Sequence, residues 1–378
     1  MIKFVKNIIN RLYGFIFDRR MLDQFISIQV IKRTQEEYSL HFYGKHEVFT
    51  PPESQVQNCI KLPRFSLALT PQALPKPYYF YLPSAGIYRE EIIDPNNPNR
   101  VLLENFPDVS NPFENKNYPI RPWNKFHIKH RMKEQTYDAD KVFLFAGRWW
   151  GNYFHFVIDY CIRYNDLKDN GIIDEDTKIL FPGQIKSWQR EYFSLLDINT
   201  DNIHITSEKP LFVQNCLIAS TRRDRFLVSK AACRTFSHKM INSIERNLDV
   251  SCSDRVYISR RDSSRKIINE IELFDMLKEH NFNIVKCENL TVSEQIRLFS
   301  TAKLVVAAHG AGVTNIIYSN RPIVIELIPN DAWVWGYFAV LAARLGCDYQ
   351  AISGTYTTEV LDYEIDIEEL KLVIETKI

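Results

Sequence analysis

The chain of 378 residues carries 47 basic and 46 acidic side chains and is 45% hydrophobic and 25% charged, a composition of folded globular proteins rather than of disordered or membrane-embedded ones. The balanced charge shows no basic excess in the chain as a whole, which argues against a nucleic-acid partner while leaving local patches open, since phosphate-backbone affinity needs a clustered excess. The length exceeds that of a typical single core of roughly 150 residues and points to two domains.

Residues 1–25 begin the chain with a basic amphipathic pattern. Val5, Ile8, Ile9, Leu12, Phe15 and Ile16 share one helical face, with Lys3, Lys6, Arg11, Arg19 and Arg20 mostly off it. Such a helix suits either packing on its own protein or peripheral contact of residues 1–20 with an acidic inner leaflet. It is too interrupted by charge to span a bilayer, and it lacks the apolar run and cleavage site of a secretory signal. From about residue 25 to 135, prolines and aromatics such as Pro51-Pro52, Pro75, Pro77 and Tyr78-Tyr-Phe-Tyr-Leu82 predict short strands joined by turns.

Apolar runs then alternate with helical segments. Val142–Ala146, Lys178–Phe181, Asn202–Ile205 and Gln214–Ala219 read as strands, with helices over Tyr153–Leu167 and Trp188–Leu196. That spacing predicts parallel βαβ units. Val228–Leu248 reads as a long connecting helix. A second block follows: strands at Arg255–Ser259, Asn283–Lys286, Leu304–Ala308 and Ile323–Leu327, and helices over Glu270–His280, Thr291–Ser300 and Ala332–Leu345. Asn315–Tyr318 looks like a further helix start. The expected fold class is α/β, with two Rossmann-like domains spanning 26–227 and 228–378 and a β-rich N-terminal extension. Ligands are expected in the crevice beyond the carboxyl ends of the strands.

The seven cysteines (Cys59, Cys161, Cys216, Cys233, Cys252, Cys287, Cys347) are scattered and lack C-x-x-C spacing, so neither a zinc site nor a disulfide framework is expected and a reducing compartment is the simplest reading. His309-Gly310-Ala311-Gly312-Val313-Thr314-Asn315 places two glycines between a buried strand and a helix start. Glycines there let backbone approach a ligand and offer free amides to an anion. Arg260 and Arg261 fall at the same sheet edge, with Arg265 and Lys266 extending the basic cluster, and a guanidinium grips two phosphate oxygens at once. Glu326, in the apolar run Ile323–Ile328, must be partnered, by a cation such as Arg297 or by ligand hydroxyls such as those of a ribose. Glu294 and Gln295 face the same alternative, with a solvated helix face as the blander outcome. His155 and Asp159, at i and i+4, suit a general base oriented by a carboxylate.

Taken together, Ile258–Arg265, Asn269-Glu270, Glu294-Gln295, Ala308–Asn315 and the Asn152–His155 segment with Asp159 resemble glycosyltransferase family 61 over roughly residues 140–330. The resemblance implies a GT-B architecture with the nucleotide-sugar donor in the C-terminal domain and inversion at the anomeric carbon. It implies donor contacts at Arg260, Arg261, Arg265, Asn269, Glu294, Gln295, His309, Gly310, Ala311, Gly312, Thr314, Asn315 and Glu326, and a base at His155 or Asp159. The acceptor is then a glycan or lipid-linked glycan of bacterial capsule or surface polysaccharide, and the expected location is the cytoplasm or the inner face of its membrane. No cofactor or metal is expected, the arginines and amides taking the place of a divalent cation. Two other functions remain open on the sequence: a nucleotide-sugar epimerase, and a non-catalytic sugar-binding subunit of a polysaccharide assembly.

Overall fold

A computed structural model describes residues 39–378, apart from 60–61, 63–64, 66–67, 70, 75, 94–135, 138, 207–209, 225, 245–252, 262–264, 330–335 and 357–361. The expected N-terminal helix and most of the proline-rich stretch therefore lie outside the described residues. Among the described residues no helix is long and apolar enough to cross a membrane. The molecule is mixed α/β, built on two large sheets.

The second sheet is wholly parallel. Its strands lie in the spatial order Asn283–Val285, Arg255–Ile258, Leu304–Ala308, Ile323–Ile328, Asp348–Ser353. In sequence order this is 2-1-3-4-5, a doubly wound arrangement whose direction reverses between the first and third strands, and ligands bind at that switch point. Apolar residues on both faces cause the parallel packing. Val256, Ile258, Val305 and Ala307 enter one core, while Tyr257, Leu304, Val306 and Ala308 enter the other. The outer face is covered by the helices Glu270–Glu279 and Ile367–Lys377, through Leu273, Leu277, Leu370 and Ile374. The inner face is covered by Val292–Thr301, Ala311–Tyr318 and Tyr337–Leu345.

The first sheet differs from the expected run of parallel units. Its order is His41–Phe42, Tyr78–Tyr88, Leu211–Ala219, Val142–Leu144, Lys178–Phe181, His204–Ile205. Val142–Leu144, Lys178–Phe181 and His204–Ile205 are parallel to Leu211–Ala219 or to one another, as expected, and Thr136–Tyr137 also pairs parallel with it, but Tyr78–Tyr88 runs antiparallel along the whole of Leu211–Ala219. The β-rich N-terminal segment is thus part of this sheet and not an appendage to it. An 11-residue strand containing Pro83 goes against the exclusion of proline from ladder interiors. It is accommodated opposite Asn215, which takes φ 52° and sends its side-chain amide to the Asp140 carbonyl at 2.7 Å.

Most second-half boundaries follow the sequence reading within a residue or two. Thr291 caps Val292–Thr301 in a capping box with Glu294, and Ser229 caps Lys230–Ser243, shorter than the expected 228–248. The helix after the glycine turn is a 3-10 segment that starts at Ala311, four residues before the expected Asn315. Tyr153–His155 continues through a π-helical stretch, Phe156–Cys161, into Ile162–Asp169.

One apolar core joins the two sheets. Phe145, Phe156 and Phe193 of the first half belong to the same buried cluster as Val292, Ile296 and Ile316 of the second. Polar links run through it: the Tyr153 hydroxyl donates to Asn315 Oδ1 at 2.7 Å, and Tyr153, Tyr192 and Tyr318 form a hydroxyl chain with steps of 2.8 and 2.7 Å. Gln55, from the helix Glu53–Asn58, donates to the Ala339 carbonyl, and Asn58 to that of Tyr349, so early residues clasp the far sheet.

Gly346 ends Tyr337–Leu345 with φ 81°. A side chain there is strained, so Gly346→Ala should cost about 1 kcal/mol, read as a lower urea midpoint with unchanged slope; an unchanged midpoint would show that the turn relaxes freely.

Candidate active site

The switch point of the parallel sheet is where the basic and glycine-rich segments meet. Arg260 follows the Arg255–Ile258 strand and its Nη1 donates to the His309 carbonyl, just past Leu304–Ala308. Gly310 has extended backbone, and its role is spatial: a Cβ there would lie 1.8 Å from Arg260 Nη1. The glycine thus lets a guanidinium lie against the turn. Gly312 packs closely too, a Cβ there meeting Ile258 at 3.1 Å. The amides at the start of Ala311–Tyr318 lack intrahelical acceptors, as at any helix start, so a cation and orphan donors share one edge. Burial and the neighbouring Arg265 lower the Arg260 pKa, yet a guanidinium stays charged at any working pH.

A cavity of about 540 Å³ opens at this edge. Its second-half wall comprises Ile258–Arg260, Cys287–Thr291, Gln295, Ala308, Ala311 and Gly312; its first-half wall comprises Gly151, Tyr153, Ser187, Trp188 and Glu191. Of the residues expected to hold a donor, Arg260, Gln295, Ala311 and Gly312 line it.

Others are placed differently. Glu326 is 1% exposed; Oε1 meets His309 Nδ1 at 2.5 Å and Oε2 accepts from the Tyr349 hydroxyl at 2.5 Å. Its partner is not Arg297; it holds the His309 ring. Thr314 and Asn315 are fully buried, because the 3-10 turn starting at Ala311 rotates them inward. Asn315 spends its amide on Gln295 Oε1 at 2.9 Å and its carbonyl on Tyr153. Glu294 closes the capping box, its Oε2 accepting from the Thr291 amide at 2.7 Å. Asn269 bonds both backbone groups of Ile365. Arg261 is exposed, and Arg265, with φ 64°, lies outside the cavity wall.

In the first half, His155 Nδ1 lies 2.7 Å from Asp159 Oδ2. Asp159 is fully buried, and Arg223 grips it with Nε to Oδ1 at 2.6 Å and Nη2 to Oδ2 at 3.2 Å. Burial by itself raises the carboxyl pKa; Arg223 and His155 outweigh it and hold the carboxyl below its ordinary value. Its contribution to stability is therefore full above the ordinary carboxylate pKa of about 4 and is lost as pH falls through the lower folded value. The Arg223 guanidinium lies over the Phe154 and Tyr337 rings, 5.5 Å from each centroid. With Nδ1 held by Asp159, the His155 imidazole presents Nε2 as a proton acceptor. Trp149, at φ 60° and 40% exposed, packs 4.7 Å from the His155 ring. Phe154 bridges the halves, touching His155 at 5.2 Å and Phe338 at 5.5 Å, while His309 meets Phe338 at 5.7 Å. The two histidines thus approach one aromatic seam from opposite sheets, two residues beyond the Tyr153 wall of the cavity.

Arg223 and Tyr349 are absent from the sequence reading. A signal for the first was present, since Arg222-Arg223 follows a strand end as Arg260-Arg261 does. Trp188, Glu191 and Glu288 had none, being ordinary helix and turn residues until the fold brings them to one cavity. Two Asp-x-Asp triplets are present, Asp138-Ala-Asp140 and Asp174-Glu-Asp176, and neither lines the cavity. Asp174 is bound by Lys141 at 2.8 Å and by Thr177, while Asp138 lies outside the described residues. Among the described residues no group of three or more His, Cys, Asp or Glu side chains is arranged to hold a metal.

A parallel sheet with a cation and helix-start amides at its switch point, and a histidine–carboxylate pair on the helix that begins at the cavity residue Tyr153, has the parts of a group-transfer enzyme. Residues 153–325 match the sequence model of the family described as Glycosyltransferase 61. The match supports a glycosyltransferase of that family, and the matched stretch runs from Tyr153 to one residue short of Glu326. Such a match implies a sugar donor and an acceptor. Comparison with curated proteins gives no match.

The capping role of Glu294 makes a direct prediction. Glu294→Ala should lower stability by about 0.5–1 kcal/mol and leave donor affinity unchanged in calorimetry; a loss of affinity at unchanged stability would return Glu294 to the donor site.

Proposed function

We propose that the protein is an inverting, metal-independent glycosyltransferase of GT-B type that binds a nucleotide sugar between its two sheets. The observation that carries this reading is the cavity at the switch point, walled by both halves and ending on Arg260 and the turn at Gly310–Gly312. A nucleoside diphosphate matches it in charge and position. In the proposed reaction the acceptor hydroxyl attacks the anomeric carbon while His155 Nε2 takes its proton. The new C–O bond forms as the bond from the anomeric carbon to the phosphate oxygen breaks. The nucleoside diphosphate leaves with the bonding pair, and Arg260 and the turn amides stabilise the growing charge more than they stabilise the ground state.

Of the two candidate bases, Asp159 is fully enclosed and gripped by Arg223, which supports His155 as the base and Asp159 as its positioning residue. The acceptor is proposed to be a glycan or lipid-linked glycan of bacterial capsule or another surface polysaccharide, glycosylated in the cytoplasm. That part rests on the family resemblance. The sugar transferred is proposed to be a hexose or a pentose.

Four outcomes are expected. A thermal-shift panel of nucleotide sugars should give at least one concentration-dependent rise in melting temperature; its absence across the panel would sink the reading, and donor turnover without acceptor would point to an epimerase instead. Arg260→Ala should lower kcat/KM about ten- to a hundredfold through loss of charge-assisted hydrogen bonds to phosphate, with normal circular dichroism; intact activity would remove Arg260 from the donor site. His155→Ala should lower kcat by about a hundredfold or more and abolish the acidic limb of the pH–rate profile, whereas a retained limb would assign the base elsewhere. Asp159→Asn, which removes the buried carboxylate charge from its pair with Arg223, should also cost about 3–5 kcal/mol of stability.

A further inference from the structure

With Glu326 committed to His309 and Tyr349, the fold needs another group if a ribose is to be read at this site, and the cavity supplies one. Asn283–Val285 is the second strand of the parallel sheet in sequence and lies beside Arg255–Ile258, with Val285 opposite Ile258. The chain leaves it through a 3-10 turn, Cys287–Asn289, that forms one wall of the cavity. In doubly wound nucleotide-binding sheets an acidic residue after the second strand accepts hydrogen bonds from ribose hydroxyls, and Glu288 occupies that place.

Two acids line the cavity. Glu191 is engaged, its Oε2 accepting from the Val292 amide at 2.7 Å. Glu288 accepts no hydrogen bond among the described residues, yet it interacts electrostatically with Arg260. The cavity therefore has a cation and an uncommitted acceptor-only carboxylate on adjacent strand ends. A diphosphate and the vicinal diol of its ribose need that pair. Beyond Glu288 the wall turns apolar, with Leu290 from this half and Trp188 from the other. Trp188 is fixed by Phe156 at 5.0 Å and Tyr153 at 5.5 Å, which gives the base a rigid aromatic boundary. Cys287, also on the wall, has its thiol pushed up to about 12 by burial, so it stays a neutral surface and not a nucleophile.

Resting on the nucleotide-sugar reading, we propose that this cavity is a ribonucleoside subsite in which Glu288 accepts the ribose hydroxyls and the base lies between Leu290 and Trp188. The donor then spans both halves through its nucleoside as well as through its sugar, and the site discriminates ribose from deoxyribose.

The test is calorimetry on the full chain with a panel of ribonucleoside diphosphates, followed by the tightest binder and its 2′-deoxy counterpart, each against wild type, Glu288→Gln and Glu288→Ala. Wild type should prefer the ribose form by about tenfold or more, the loss expected for a hydrogen bond to a charged group. Glu288→Ala should bring the two forms to within about twofold, with inorganic pyrophosphate binding unchanged, since the contacts removed are to sugar hydroxyls. Equal binding of the two forms by wild type, survival of the preference in Glu288→Ala, or parallel loss of pyrophosphate binding would each overturn the ribose assignment while leaving the donor site standing. Failure of every ribonucleoside diphosphate to bind wild type would bring down the nucleotide-sugar reading and this subsite with it.

Discussion

A single buried amide fixes the geometry on which the rest of the site depends. Asn315 sits in the apolar core with no exposure, donating to Gln295 and accepting from Tyr153 of the other half. A buried amide left unpaired costs about 1–3 kcal/mol for each group, so the three side chains hold one another in register. Gln295 in turn donates to the carbonyls of Cys287 and Leu290 at 2.9 and 3.1 Å, which shapes the cavity wall. Tyr153 opens the helix that carries His155 and Asp159. The cavity wall and the helix that bears His155 are therefore positioned by the same three hydrogen-bonding side chains.

The site also illustrates how two histidines of similar surroundings take different work. His309 is backed by Glu326 and Tyr349, and its carbonyl, not its ring, meets Arg260. His155 is backed by Asp159, itself clamped by Arg223 between two aromatic rings. Each carboxylate is enclosed and fully partnered, so neither reaches a substrate, and each fixes a ring at the seam between the sheets. The π-helical turn Phe156–Cys161 sits directly after His155; such turns recur at functional sites because they displace one residue from α-helical register.

Much of the second half was legible in the sequence because its strands are short, uninterrupted apolar runs, which only a sheet covered on both faces produces. The first sheet was less so: Pro83 breaks the pattern of its longest strand, and antiparallel pairing with Leu211–Ala219 depends on residues more than a hundred positions apart. The glycine turn was read at the carboxyl edge of the sheet with Arg260 beside it, and the two do meet there. What the motif could not convey was which of its side chains turn inward, since that depends on a 3-10 start at Ala311 instead of an α-helical start at Asn315. Thr314 and Asn315 were read as ligand groups for want of that rotation, and Glu326 because its partners His309 and Tyr349 come from other elements. Glu288 went unnoticed for the opposite reason, being an unremarked acid in a polar turn until strand order sets it beside Arg260.

The shared core described above bears on how such a molecule can be altered. Phe145, Phe156, Ile296 and Ile316 lie in one continuous apolar cluster across the two sheets, and residues 53–58 reach over to the far one. A seam of this kind is close-packed interior, where shape mismatches of even one methylene are felt. The halves are accordingly poor cassettes for recombination: a chimera that borrows its second half from a relative must also borrow the first-half residues that face it.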